Sequence, residues 1–247
     1  MKNYEAMFVY GDSFVRCDNL EDEEVWVAEE KKFVAKPNTY HVNREKSWPR
    51  LLSQKLDTKV INKGVAGAGP MEIAMCAVKD FKYHNENTLI LVGLTSPYRL
   101  PMPTPDYRAI FYSDLKVVEH YARRFRLFDH DTLLKYMVMF YKLFDLIQQG
   151  TKADIYFINL WYNYEQRFYK DIIGLGQHLT WNAVLNNSPT NSLSSYILAN
   201  HDKIFGEEIQ FVDGACTKLY LPCGHFNELM CEVVADEVYD SLQKSQR

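Results

Sequence analysis

The sequence predicts a flavodoxin-like α/β fold of three layers, in which a parallel sheet of five strands lies between two layers of helices. Five short apolar runs alternate with segments of helical spacing along the 247 residues. This alternation is typical of parallel sheets whose two faces are covered by helices. The sequence has no internal repeat, low-complexity tract or hinge-like linker, so residues 1–247 are predicted to form a single domain.

The five predicted strands are the apolar runs themselves. The first run, from Glu5 to Tyr10, stops at Gly11, as a buried strand does where it opens into a turn. The other four runs are also short, and the third run along the chain, like the first, meets a glycine at its end, Gly93. The predicted strands cover residues 5–10, 59–62, 88–93, 153–160 and 209–213.

Four helices are predicted between and after these strands from apolar residues at helical spacing. Ser47 is a suitable N-cap for the first of them, and Gly150 is a normal stop for the third. The predicted helices cover residues 48–56, 71–82, 133–149 and 226–243.

Three stretches do not fit the alternating pattern and are predicted to be insertions that form a cap over the strand ends. Residues 16–47 are polar and include the acidic run 21–24. Residues 97–131 contain four prolines in their early part, and residues 161–203 are rich in Tyr, Asn and Ser.

The charge balance argues against nucleic acid as a partner. Lys and Arg total 28 against 32 Asp and Glu, a net charge of -4, whereas proteins that neutralise phosphates are usually basic. The segment 121–126 mixes basic and aromatic residues, and we interpret it as a solvated helix face or a grip on an acidic substrate.

The sequence also predicts a cytoplasmic protein that does not interact with membranes. It has no apolar run of about 20 residues that could cross a bilayer, and its first residues lack the pattern of a signal peptide. Its five cysteines suit a reducing compartment better than a disulfide framework. Release by a route that needs no signal peptide stays open, and the oligomeric state is not predicted.

Residues suited to acyl transfer follow several of the predicted strands. Ser13, Gly67 and Thr95 come after the first three strands, and His225 lies beyond the fifth. Ligands gather at the carboxyl ends of parallel strands. A serine nucleophile needs an imidazole to take its proton, and the resulting oxyanion needs donors such as the N–H groups of a glycine-rich loop.

Three short motifs resemble those of the SGNH, or GDSL-like, hydrolases. They are Gly11-Asp12-Ser13-Phe14 after the first strand, Asn62-Lys63-Gly64-Val65-Ala66-Gly67 after the second, and His225-Phe226-Asn227-Glu228 before the last helix. The resemblance covers the sheet from end to end but not the insertions. It implies an esterase without a cofactor, in which Ser13 is the nucleophile and an oxyanion donor, Gly67 is the second donor and His225 is the general base. Asn62, in the second motif, is expected at the oxyanion and substrate region.

Two positions depart from the family pattern. Thr95 stands where the family has an Asn that donates to the oxyanion, and a threonine hydroxyl donates with shorter reach. Pro222 stands where the family has the Asp that orients the histidine. Asp213, at the end of the fifth predicted strand, is the candidate replacement, and a Ser–His dyad is the alternative.

Other sites are less well supported by the sequence. Cys216, Cys223, His225 and Cys231 do not have the spacing of familiar zinc ligands, so no metal is predicted. The glycines at 64–69 fit neither a Walker loop nor a dinucleotide fingerprint. Arg99 is a candidate contact for a polar or anionic substrate group, with an ordinary surface salt bridge as the alternative.

The predicted function is hydrolysis of a small acyl ester, such as an O-acetyl group on a carbohydrate. The aromatic segment 161–164 is compatible with stacking on sugars. Two alternatives stay open, a catalytically silent SGNH-fold binding or virion-associated protein, and an enzyme that transfers the acyl group to an acceptor other than water. The insertions give the chain a likeness to phage-encoded members, which would place it in the host cytoplasm or the virion.

Overall fold

A computed structural model describes residues 2–17, 24–27, 32–35, 44–65, 67–97, 99, 130–161, 192–206, 219 and 226–245. The strands in chain order are β1 (Ala6–Tyr10), β2 (Glu24–Val27), β3 (Lys32–Ala35), β4 (Lys59–Asn62), β5 (Thr88–Leu94) and β6 (Asp154–Asn159). The helices are α1 (Ser13–Arg16), α2 (Trp48–Leu56), α3 (Pro70–Lys79), α4 (His130–Thr151), α5 (Leu193–Ala199), α6 (His201–Phe205) and α7 (Glu228–Ser245), with 3₁₀ turns at Arg44–Lys46 and Phe81–Tyr83.

The centre of the fold is a parallel sheet with the strand order β4-β1-β5-β6. Val9 of β1 lies opposite Asn62 on one side and Leu91 on the other, and Leu94 of β5 lies opposite Asn159 of β6. Because all four strands run in one direction, the segments that follow them emerge at the same edge of the sheet. That edge is where the predicted site residues belong.

The two faces of the sheet form two separate apolar cores. Successive side chains of a strand point to opposite faces, so Met7 and Val9 face one core and Phe8 and Tyr10 face the other. The first core is covered by α2, α5 and α7, and the second by α3 and α4. This arrangement confirms the predicted parallel α/β fold with helices on both faces.

The structure differs from the predicted elements in several places. The described sheet has four strands, one fewer than predicted, and the fifth predicted strand at 209–213 lies outside the described residues. The insertion at 16–47 contains the antiparallel hairpin of β2 and β3, which was not predicted. The helix predicted at 71–82 ends at Lys79 and is followed by a 3₁₀ turn.

The third predicted helix is longer at both ends than its apolar spacing indicated. It begins at His130 and passes through Gly150 to end at Thr151. The Thr151 hydroxyl donates to the Ile147 carbonyl at 2.7 Å, and Lys152 then takes a left-handed conformation with φ 60°. The helix therefore ends one residue, and the chain turns two residues, after the glycine that was expected to stop the helix.

A polar network lies within the second core, beneath β1. The Tyr10 hydroxyl lies 3.2 Å from Asp80 Oδ2 and 3.1 Å from His84 Nε2, and Lys63 Nζ lies 3.2 Å from Asp80 Oδ2. Burial lowers the pKa of His84, and the Asp80 carboxylate opposes part of that shift. Burial and the nearby Asp80 charge raise the pKa of Tyr10. The network is therefore built around a neutral imidazole and a neutral phenol.

Replacing His84 with Gln is expected to weaken the pH dependence of stability below about pH 6.5. Because burial lowers the His84 pKa in the folded state, the unfolded chain binds the proton more tightly and acid favours unfolding. The free energy of unfolding of the wild type should fall as the pH drops from about 7 to about 5, and that of His84→Gln should fall less.

Urea unfolding at several pH values measures this difference, with the curves compared at about pH 8, where an ordinary histidine is neutral. Equal pH slopes for the two proteins would show that His84 does not couple protonation to folding.

Candidate active site

Ser13 begins the short helix α1, immediately after the central strand β1. The preceding residue, Asp12, occupies the N-cap position, and its Oδ1 accepts the Phe14 N–H at 3.0 Å. Such a cap satisfies a backbone donor that has no partner within the helix. Because it follows β1, Ser13 lies at the carboxyl edge of the sheet. It is 8% exposed and therefore almost fully buried.

The loop after β4 is tied to β1 and α1 by backbone and side-chain hydrogen bonds. The Val65 N–H donates to the Gly11 carbonyl at 2.9 Å. Asn62 Nδ2 donates to the Val15 carbonyl, and Asn62 Oδ1 accepts the Gly64 N–H, both at 2.9 Å. Both ends of the Asn62 amide therefore hold the loop in place. Gly67 follows with φ 74°, a left-handed conformation that glycine adopts without a steric cost.

The Asp12 carboxylate is the most heavily bonded group at this edge. Its Oδ2 accepts hydrogen bonds from Thr95 Oγ1 at 2.9 Å, Arg99 Nη1 at 2.7 Å and Trp161 Nε1 at 2.9 Å. Asp12 is 1% exposed. A buried carboxylate is tolerated only where it is paired and hydrogen-bonded, and this one meets both conditions.

This arrangement gives the Thr95 hydroxyl a different role from the predicted one. Thr95 Oγ1 donates to Asp12 and accepts from Arg99 Nη1 at 3.0 Å. A hydroxyl carries a single proton, so a hydroxyl that donates to Asp12 does not at the same time donate to an oxyanion. We therefore assign the Thr95 proton to Asp12.

Arg99 forms a buried ion pair, whereas the sequence suggested a substrate contact or a surface salt bridge. Its side chain is 12% exposed, and its guanidinium carbon lies 5.0 Å from the centre of the Trp161 ring. Flat stacking on an aromatic ring is a geometry that arginine favours. Arg99 is thus held between a carboxylate and an indole.

An aromatic group continues from this ion pair toward the last helix. Trp161 stacks on Phe14 with ring centres 5.2 Å apart, and Phe14 meets the edge of Phe226 at 4.9 Å. Trp48 Nε1 also donates to the Phe14 carbonyl at 3.0 Å. Phe226 directly follows the predicted base His225, and the side-chain oxygen of Asn227 caps α7 by accepting the Met230 N–H at 2.9 Å.

His225, Asp213 and Pro222 lie outside the described residues. Their positions relative to Ser13 stay predictions, as does the choice between a triad and a dyad. The described part of the chain contains no group of three or more His, Cys, Asp or Glu residues placed to hold a metal ion. Of the four residues weighed as zinc ligands, Cys231 alone is described, and it is a buried free cysteine.

Sequence reasoning missed Asp12 and Trp161 as members of this site. A signal for Asp12 was present, because a carboxylate directly after a buried central strand needs a cationic partner. Arg99, which follows the neighbouring strand β5, is close enough in the sheet order to supply it. No comparable signal pointed to Trp161, whose indole N–H reaches Asp12 across 149 residues of sequence.

A polar cavity of about 380 Å³ opens beside α1 and the loop after β4. This is within the size range of small-molecule sites. Arg16, one turn beyond Ser13, lines it. The remaining lining residues come from the segments around α2 and β4 and are Glu45, Ser47, Pro49, Arg50, Val60, Asn62 and Gly64.

Among the residues that the structure describes, none of the helices combines the length and the hydropathy needed to cross a bilayer.

Comparison with known proteins finds similarity in structure only. No protein-family model matches the sequence, and no curated protein matches it. Among solved structures, the psychrotrophic esterase EstA from Pseudoalteromonas sp. matches with a TM-score of 0.50 and 15% identity, over 97% of each chain. TesA matches with a TM-score of 0.50 and 10% identity, over 97% of this chain and 99% of its own.

A family two carbohydrate esterase from Cellvibrio japonicus matches with a TM-score of 0.51 and 15% identity. That match covers 99% of this chain and 62% of the esterase. At such low identity these matches concern the fold. The chain shares its fold with these three proteins, in agreement with the fold that the resemblance of its motifs predicts.

Proposed function

We propose that this protein is a serine esterase in which Ser13 attacks the carbonyl carbon of a small acyl ester. The observation that carries the proposal is the placement of Ser13. It follows a central strand of a sheet similar to that of an esterase, and the helix that it begins is capped by Asp12, which accepts the N–H of Phe14. A nucleophile at the carboxyl edge of a parallel sheet lies where such folds bind their ligands.

The proposed reaction begins with transfer of the Ser13 hydroxyl proton to His225 as Ser13 Oγ bonds to the acyl carbon. The tetrahedral intermediate collapses, the alcohol leaves with the proton that His225 returns, and an acyl ester on Ser13 remains. Water then attacks this ester with His225 again as the base, which releases the acid and restores Ser13. Asp213 is the proposed partner that orients His225.

The oxyanion of the intermediate is proposed to be held by the backbone N–H groups of Ser13 and Gly67. The φ of 74° at Gly67 supports this role, because it marks a tight turn in the loop after β4. Because the Thr95 hydroxyl donates to Asp12, we propose that it does not supply a third donor to the oxyanion. Loss of one oxyanion donor costs about 2.7–4 kcal/mol in a protease, so we expect a slower enzyme than one that retains all three.

Ser13 does not line the cavity beside α1, but Arg16 of the same helix does, and we propose that this cavity receives a polar alcohol as the leaving group. Arg16, Ser47 and Asn62 contribute hydrogen-bonding groups to its wall, and sugar hydroxyls need partners of this kind. The likeness to a carbohydrate esterase agrees with this choice. We therefore propose a small acyl group, such as O-acetyl, carried by a carbohydrate.

A catalytically silent binding protein is the second candidate function. The Thr95–Asp12 hydrogen bond and Pro222 favour it, because each replaces a feature that assists catalysis in the family. A binding protein would retain the cavity and the fold without a reactive Ser13.

Replacing Ser13 with Ala is expected to abolish labelling by a fluorophosphonate probe. It should also lower kcat for p-nitrophenyl acetate by at least about 1000-fold, because the variant lacks the attacking oxygen. The matched control is Ser195→Ala, since Ser195 lies in α5 and hydrogen-bonds to Ser192. This control should be labelled as fast as the wild type.

A folded wild type that neither reacts with the probe nor cleaves the acetate would exclude the esterase and favour the binding protein. An enzyme that prefers p-nitrophenyl octanoate to the acetate would contradict the small acyl group. Release of free acetate in water, without a second acceptor, separates hydrolysis from acyl transfer.

Replacing His225 with Gln is expected to remove the rise of kcat/KM with pH that an ordinary histidine base produces near about pH 6.5. The loss in rate should be comparable to that of Ser13→Ala, since the two residues act as a unit. Asp213→Asn should lower kcat by as much as about 10,000-fold if Asp213 orients the imidazole.

The matched control for this pair is Asp57→Asn, at an exposed left-handed position that suits asparagine. An Asp213→Asn variant with the kcat of the control would leave a Ser–His dyad. A pH profile unchanged by His225→Gln would remove His225 from the mechanism.

A further inference from the structure

We propose that Arg99 is a positioning residue for Ser13, which acts through Asp12 and joins the segments that surround the nucleophile. This inference rests on the proposed esterase function. It differs from the substrate contact that the sequence suggested, because the guanidinium binds a buried carboxylate of the protein itself.

The two oxygen atoms of the Asp12 carboxylate accept hydrogen bonds from different donors. Oδ2 accepts from Arg99, Thr95 and Trp161, while Oδ1 accepts the Phe14 N–H. Because the carboxylate is planar and rigid, the donors on Oδ2 set the direction of Oδ1. The direction of Oδ1 in turn sets the first turn of α1, where Ser13 lies. Arg99 supplies the shortest of these contacts and the only positive charge among the three donors.

The backbone of Arg99 packs against the glycine loop after β4. A Cβ atom added to Gly69 would lie 2.0 Å from the Arg99 carbonyl oxygen, so only a glycine permits this approach. The Arg99 N–H donates to the Ser96 carbonyl at 3.2 Å, which closes a turn directly after β5. Gly69 lies two residues from the proposed oxyanion donor Gly67. Arg99 therefore contacts both the residue that precedes the proposed nucleophile and the loop that contains the proposed oxyanion donor.

The Arg99 guanidinium also contacts a group of aromatic rings. Arg99 lies over Trp161, Trp161 stacks on Phe14, and Phe14 meets Phe226, the neighbour of His225. Contacts of one residue thus reach the segments after β1, β4, β5 and β6, and two rings extend them to the segment before α7. Their combination at one buried side chain indicates a role in holding these segments in a common geometry.

Lysine cannot reproduce all of these contacts. Arg99 Nη1 donates to Asp12 and to Thr95, while the guanidinium carbon lies over the indole ring of Trp161. An ammonium carries charge and donors but has no flat face. Arg99→Lys therefore separates the contribution of charge from that of shape.

The experiment measures the reaction of Ser13 with a fluorophosphonate in the wild type, Arg99→Lys, Arg99→Met and the double variant Asp12→Asn/Arg99→Met. The amplitude of labelling counts folded sites, and the rate constant reports how well each folded site reacts. The double variant contains no unpaired buried carboxylate, so it tests the proposal even if Arg99→Met does not fold. Lys55→Met is the matched control, because it removes an exposed ion pair, with Asp236 at 2.6 Å.

We expect the rate constant per folded site to fall between about 10- and 100-fold in Arg99→Met and in the double variant, since small displacements of a nucleophile have effects of this size. Arg99→Lys should recover part of the rate, and Lys55→Met should match the wild type. A loss of amplitude with an unchanged rate constant would show that Arg99 serves stability alone and would overturn the proposal.

Hydrogen exchange of the Phe14 amide, followed by NMR, provides a readout that does not depend on activity. Its exchange should accelerate in Arg99→Met relative to Lys55→Met, because the cap from Asp12 is loosened. Unchanged exchange would overturn the proposal, whether or not the protein is an esterase. A wild type that does not react with the probe would instead overturn the proposed function, and the Phe14 amide would still decide the role of Arg99.

Discussion

The geometry at the strand ends depends on the burial of one charge, the Asp12 carboxylate. A buried carboxylate is unfavourable until donors surround it, and removing one partner of a buried ion pair typically costs about 3–5 kcal/mol. Here the donors come from three different segments: Phe14 after β1, Thr95 and Arg99 after β5, and Trp161 after β6. Because each must reach the same two oxygen atoms, the segments cannot shift independently. The constraint that keeps Asp12 satisfied therefore also holds the backbone around Ser13.

The sheet makes this convergence possible. Parallel strands in the order β4-β1-β5-β6 bring their carboxyl ends to one edge, and β1, which precedes Ser13, lies between β4 and β5. Two apolar cores hold the sheet from opposite faces, and large side chains such as Trp48 and Phe144 are fully buried in them. Because the packed layers are rigid, residues can be exchanged most readily in the segments that follow the strands. Thr95 is one such residue, because its hydroxyl donates to the Asp12 carboxylate.

The elements of the sheet could be predicted from the sequence because each produces a local pattern. The strand Lys59–Asn62 was predicted with its observed bounds, and the helix Trp48–Leu56 follows Ser47 as expected. The third helix was placed correctly, but its predicted end was too early. A glycine disfavours continuation of a helix, and neighbouring residues can override this preference. The hairpin of β2 and β3 was missed because its apolar runs at 25–28 and 33–35 are short and lie within a charged stretch that was interpreted as an insertion.

The sequence by itself determined the parallel α/β fold, the place of Ser13 after the central strand and the glycine loop beside it. These features follow from apolar periodicity and short motifs, which act over a few residues. The tertiary structure alone decided what Thr95, Arg99 and Trp161 do, because their common partner Asp12 lies 83, 87 and 149 residues away. Contacts over such separations arise from strand order and helix packing, which no local pattern specifies. A threonine expected at an oxyanion and an arginine expected at a substrate or the surface thus became donors to one buried carboxylate.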